Sequence, residues 1–159
     1  MRIPARPLSA GMKASTAFVF LVPVALLATA LAQPSVSATL LGSTVVLAPV
    51  LAWAIRQSPL AYEVRGGTLT VHTRLGGAYA YRLDGTFRSP APGLRLRLFG
   101  SSGFYGHTGW FLDAEGRRVR AFVSRAEDLV SIGTNRGPIV LSPQSPAELV
   151  GAVQAGTVR

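Results

Sequence analysis

The chain has 159 residues, 48% of them hydrophobic, and carries 16 basic against 7 acidic residues for a formal net charge of +9. That length holds one compact domain plus a short appendage. With no cysteine, it excludes a disulfide framework, thiolate catalysis and a cysteine metal site.

After a basic N-terminus, residues 1–13, the apolar residues concentrate in two uncharged runs. The first is "ASTAFVFLVPVALLATALA" (about 14–32) and the second "ATLLGSTVVLAPVLAWAI" (about 38–55). Each is about as long as a membrane-spanning helix, and Pro23 and Pro49 are tolerated in such helices. The short link "QPSVS" returns one run on the other, giving a transmembrane hairpin over 14–56 in which Ala28, Ala32, Ala38 and Gly42 would allow close approach. Arg2, Arg6 and Lys13 precede the hairpin, Arg56 follows it, and the link has no basic residue. The retained positive charge puts both ends in the cytoplasm, with Trp53 as an interfacial anchor. The alternative is a signal peptide cleaved after Ala32 at "ALA"; against it, the run exceeds a usual signal core of about 7–15 residues.

From residue 57 to 159 the pattern alternates. "LAYEVR" and "TLTVHT" flank Gly66 and Gly67, a two-residue hairpin signal. "AYAYRL" follows a second glycine pair and aligns Tyr79, Tyr81 and Leu83. "LRLRLF" alternates Leu94, Leu96 and Leu98 with Arg95 and Arg97. "RRVRAFVS" alternates Val119, Ala121 and Val123 with Arg118, Arg120 and Phe122. With "GWFLD", "DLVSIGT" and "PIVLS", this predicts about seven strands at sandwich or barrel spacing. The period then becomes helical: Ser145 as N-cap, Pro146 at the first position and Glu148 begin a helix over about 146–155, with Leu149, Val150 and Val153 as its apolar stripe.

Between the strands, "LFGSSGFYGHTGWF" spaces Gly100, Gly103, Gly106 and Gly109 at every third position. A phosphate-binding loop needs a lysine and opens a helix; this loop has no lysine and leads into a strand, so it reads as a glycine-permitted turn or bulge without a nucleotide. His72 and His107, the two histidines, are too few for a zinc site without cysteine and read as solvent-exposed. No serine elbow accompanies them, and the adjacent Glu127 and Asp128 read as a turn. Catalytic residues, metal ligands and cofactors are therefore not expected.

Seven antiparallel strands closed by one amphipathic helix form the layout of a pleckstrin-homology (PH) domain. On "YEVRGGTLTV", "RLFGSSGFYGHTGWF" and "DLVSIGTNRGPIVLSPQSPAELVGAV", residues from about Leu60 to Ala155 resemble a bacterial PH-like domain, a family that often follows short transmembrane hairpins. The resemblance implies a partly open, strongly bent β-barrel plugged by the helix from Pro146 to Ala155, and binding or scaffolding in place of catalysis. The basic residues that grip phosphoinositides in eukaryotic PH domains lie around the first hairpin; here Arg65 stands alone in that turn, and the pattern is absent.

The expectation is a membrane-anchored α+β protein: two transmembrane helices, then a mostly antiparallel PH-like bent barrel with one C-terminal helix. It would sit in a bacterial inner or plasma membrane as a non-catalytic interaction or scaffolding module, contacting the bilayer through its spans and a protein partner through its domain, without nucleic acid. The alternatives are sensing of anionic lipid by an arginine patch, or an accessory subunit of a membrane enzyme or transporter, against which the uncharged spans count. Candidate contact residues are Arg95, Arg97, Arg118, Arg120, Phe104, Tyr105 and His107. The arginines form one basic patch if their strands lie close together, but solvated strand faces that resist edge pairing explain the same residues and are the favoured reading, since alternation alone predicts them.

Overall fold

The structure, a computed structural model, describes residues 1–32, 37–102 and 106–157. The helix link read from the sequence falls mostly outside the described residues, as do Phe104 and Tyr105. The chain runs β1 (Arg2–Pro4), α1 (Ala10–Ala32), α2 (Ser37–Gln57), β2 (Pro59–Arg65), β3 (Thr68–Thr73), β4 (Ala78–Arg88), β5 (Leu94–Ser102), β6 (His107–Asp113), β7 (Arg118–Val123), β8 (Val130–Thr134), β9 (Ile139–Leu141) and α3 (Pro146–Thr157).

The nine strands form one sheet in the order β1-β2-β3-β4-β8-β9-β7-β6-β5, antiparallel except for the β7–β9 pair. Gly66 and Gly67, at φ 52° and 71°, make the β2–β3 turn between the paired Arg65 and Thr68. Positive φ at both positions matches the right-handed strand twist and favours glycine. The sheet bends until Ala5, just past β1, bridges Pro143, just past β9. Tyr62, Leu69, Val71, Tyr81, Phe122, Ile132, Ile139 and Leu141 fill the interior. Leu149 and Val153 of α3 complete it, with α3 packed on β2 and β4 at the Gly66–Gly67 end. The fully buried Tyr62 hydroxyl donates to the Phe122 carbonyl at 2.7 Å and accepts from the Ser142 N–H at 3.3 Å. Burial pushes the Tyr62 phenol well above its ordinary pKa.

β1 lies in the segment read from sequence as a basic terminus. Arg2, Ile3 and Pro4 pair with Glu63, Tyr62 and Ala61, so the residues preceding the two helices lie against those following them. Ile3 is 1% exposed inside the main core. The contact continues past the strand: the Arg6 N–H donates to the Ser142 carbonyl, its Nε to the Pro143 carbonyl, and its guanidinium pairs with Asp128. Part of the charge read as membrane-orienting is thus built into the domain.

α1 is long and apolar enough to cross a bilayer, from Ala10 to Thr29, and almost none of that stretch is buried. Phe18, Leu21, Val24 and Leu31 face outward, which in water would leave a large unpartnered apolar surface. α2, 21 residues from Ser37 to Gln57, packs against α1, and its apolar stretch among the described residues is Val45–Gln57.

A second set of interactions holds the β6–β7 turn. Asp113 is buried; its Oδ1 accepts from the Glu115 and Arg117 N–H groups at 2.9 Å each, and its Oδ2 accepts from Arg117 Nε at 3.0 Å. Burial alone would raise its pKa, but the hydrogen bonds from Arg117 and Glu115 and the Arg117 charge outweigh it and hold the carboxyl below its ordinary value.

Two measurements follow. Ile3→Ala should cost about 2–4 kcal/mol in denaturant unfolding of the detergent-solubilised chain, while Leu75→Ala, at an exposed position, should stay within about 0.5 kcal/mol. Because the folded Asp113 pKa lies below the unfolded one, its contribution is full above the unfolded pKa of about 3.9 and is lost as pH falls through the folded value. Asp113→Ala should therefore destabilise by about 1–3 kcal/mol at neutral pH, and the gap to wild type should narrow in melts taken below about pH 4.

Candidate functional site

The described sequence candidates, Arg95, Arg97, His107, Arg118 and Arg120, fall on the three-stranded arm β7-β6-β5, whose last strand is the sheet edge. The spaced glycines build this arm. Gly100 and Gly109 are direct cross-strand partners at φ 125° and 124°. A Cβ on Gly100 would strike the Thr108 carbonyl, and one on Gly109 the Phe99 carbonyl. Gly100 and Gly109 thus serve close backbone approach between two strands.

Strand register decides which side chains meet. Residues directly opposite across an antiparallel pair share a face. Arg97, Phe111 and Val119 form one row; Leu96, Leu112 and Arg118 form another; Phe99, Trp110 and Arg120 form a third, on the same face as the second. Register shifts at Leu94/Leu96 and Arg97/Phe99 break the simple alternation of β5. Arg97 therefore projects from the face opposite Arg118 and Arg120, and the four arginines do not form one patch.

On the Arg97 face, Arg95, Arg97, Ser102, His107 and Phe111 line a cleft of about 360 Å³. His107 is half-buried there, with its Nδ1 2.8 Å from the Ser102 hydroxyl and its ring edge-on to Phe111 at 6.1 Å. Burial lowers its pKa, favouring the neutral ring. The expectation that both histidines are solvent-exposed is corrected, since His72 is also half-buried and bonds Glu63 at 2.9 Å. That bond, ahead of the nearby Arg65 charge, holds Glu63 below the ordinary carboxylate pKa. Ser102 escaped the sequence reading because its approach to His107 depends on β5–β6 pairing.

The opposite face carries the feature that sequence reasoning missed. The Arg120 guanidinium carbon lies 5.2 Å from the ring centroids of Tyr79 and Phe122 and 5.8 Å from those of Tyr81 and Trp110, all within cation–π range. Arg118 stacks on Trp110 at 4.2 Å. The four rings come from β4, β6 and β7, and the bent sheet brings them together. Beside them, the Tyr79 hydroxyl donates to Gln57 Oε1 at 3.1 Å, and Trp53 meets Phe99 edge-on at 6.3 Å. The end of α2 is thereby joined to the end of the bent sheet remote from α3. Among the described residues, Arg95, Arg97, Arg118 and Arg120 have no carboxylate partner, and no group of three or more His, Asp or Glu is placed to hold a metal.

Residues 89–155 match the family model described as Bacterial PH domain. The match runs from just before β5 through most of α3, supporting the resemblance over that part of the chain. No curated protein and no solved structure matches the chain.

The glycine geometry is directly testable. Gly109→Ala should destabilise the domain by at least about 1–3 kcal/mol, through positive φ and the clash with Phe99 O, whereas Gly93→Ala, with open space at its Cβ, should be near neutral in the same thermal melt.

Proposed function

We propose that the chain is a non-catalytic, PH-like interaction module held at a bacterial inner or plasma membrane by its two-helix hairpin, with both chain ends cytoplasmic. The observation that carries this reading is the β1–β2 pair, which brackets the two helices and brings both ends of the hairpin to one side. Cleavage after Ala32 would remove Ile3 from the core, so a retained hairpin fits the fold better than a signal peptide. The outward apolar surface of α1 is suited to lipid.

A protein partner is docked through β5. This strand ends the sheet, and among the described residues its outer backbone groups have no neighbouring strand. It exposes Leu96, Leu98 and Phe99, the last at 68%. An exposed apolar edge is a template for strand addition by an extended segment of another protein. The division of the arginines between two faces favours this edge over a single lipid-sensing patch.

Full-length protein, captured from its own membranes in gentle detergent, should bring down a partner that Leu98→Asp loses while retaining the wild-type melting temperature. Failure of any protein to co-purify, or equal recovery by the variant, would contradict the edge-strand reading. In inside-out vesicles the C-terminal domain should be digested by added protease, and digestion in right-side-out vesicles would reverse the topology.

A further inference from the structure

We infer that Arg120 and its aromatic cage form a phosphate-binding site for the headgroup of a lipid seated against the end of α2. Three observations converge on it. Arg120 is a half-buried cation whose Nε is buried without a hydrogen-bond partner. Tyr81, 2% exposed in the same cage, has a buried hydroxyl that is likewise unpartnered. A cleft of about 80 Å³ opens at this point, lined by Trp53, Gln57, Phe99, Thr108, Trp110 and Arg120. That volume exceeds what a single water requires and accommodates a small polyatomic anion.

The chemistry selects an oxyanion. A guanidinium presents its donors as a planar fork that matches phosphate oxygens in pairs, and stacking on aromatic faces fixes the fork in place. Tyr79 occupies Gln57 Oε1, turning that amide so that its N–H₂ is the group left to donate. With no carboxylate partner among the described residues, this half-buried cation is completed by an anion from outside the chain. This place lies away from the first hairpin, where Arg65 pairs with Glu63.

Position selects the lipid. Trp53 and Gln57 are one helical turn apart at the end of α2, and Trp53 carries the amphipathic ring typical of the membrane interface. Arg120, joined to both through Tyr79 and the cleft, then stands at headgroup depth, where lipid phosphates lie. The lipid source, though not the anion site, rests on the membrane reading above.

The test uses the full chain in an uncharged, phosphate-free maltoside detergent. Its two tryptophans, Trp53 and Trp110, both line the cleft, so intrinsic fluorescence reports on it directly. Short-chain phosphatidylglycerol should give a saturable change, inorganic phosphate a weaker one, and sodium chloride of equal ionic strength none. Arg120→Gln should weaken lipid binding about ten- to a hundredfold, and Arg95→Gln, in the cleft on the other face, should leave it unchanged. Inorganic phosphate binding as tightly as the lipid would keep the anion site and count against its lipid source. No response of the wild-type chain to either probe, or equal binding by a folded Arg120→Gln variant, overturns the site.

Discussion

Three residues ahead of the helices govern the arrangement of the molecule. By pairing with β2, β1 obliges α1 and α2 to leave and re-enter the same edge of the sheet. The energetic weight lies in Ile3, sealed among Tyr62 and its neighbours, and in the hydrogen bonds that continue through Ala5 and Arg6 to Leu60, Ser142 and Pro143. An apolar helical hairpin attached to a domain by one flexible joint could swivel. Here both of its ends are fixed, so the domain holds one orientation toward whatever surrounds the helices.

That constraint gives the two ends of the bent sheet different surroundings. α3 fills the mouth at the Gly66–Gly67 turn with Leu149 and Val153, an apolar plug. At the opposite mouth, beside Gln57 and Trp53, the interior ends in a cation ringed by aromatics. An arginine inside an aromatic box keeps its stem and ring faces dry while its donors face the opening, as a long amphipathic side chain does at a boundary between apolar and polar phases. The arm of β7, β6 and β5 extends from this mouth, with its edge strand exposed next to the helix end.

Local chemistry made much of the fold legible. The Gly66–Gly67 turn, the alternation of Val119, Ala121 and Val123, and the helix beginning at Pro146 depend on neighbours a few residues apart, and they occur where the pattern places them. β1 was not legible, because "RIP" is too short to show a period and becomes a strand only against Glu63, Tyr62 and Ala61. The arginines were half legible. Alternation grouped Arg95 with Arg97 and Arg118 with Arg120, but two register shifts in β5 and the intervening β6 decide that Arg97 and Arg120 lie on opposite faces, Arg120 on the one that carries the core ring of Phe122. The Arg120 box was invisible for the same reason as the Ser102–His107 contact: its members meet through sheet curvature and pairing that no sequence spacing records.

The absence of native cysteine makes the central constraint measurable in the full chain. Arg2 and Glu63 are direct partners across β1 and β2, a separation of about 4.5–5.5 Å between Cα atoms that lies within disulfide range. With Arg2→Cys and Glu63→Cys combined, mild oxidation should close one intramolecular disulfide, seen as a loss of two free thiols by intact mass after alkylation. Two thiols that remain fully alkylated would show that the residues flanking the helices do not meet.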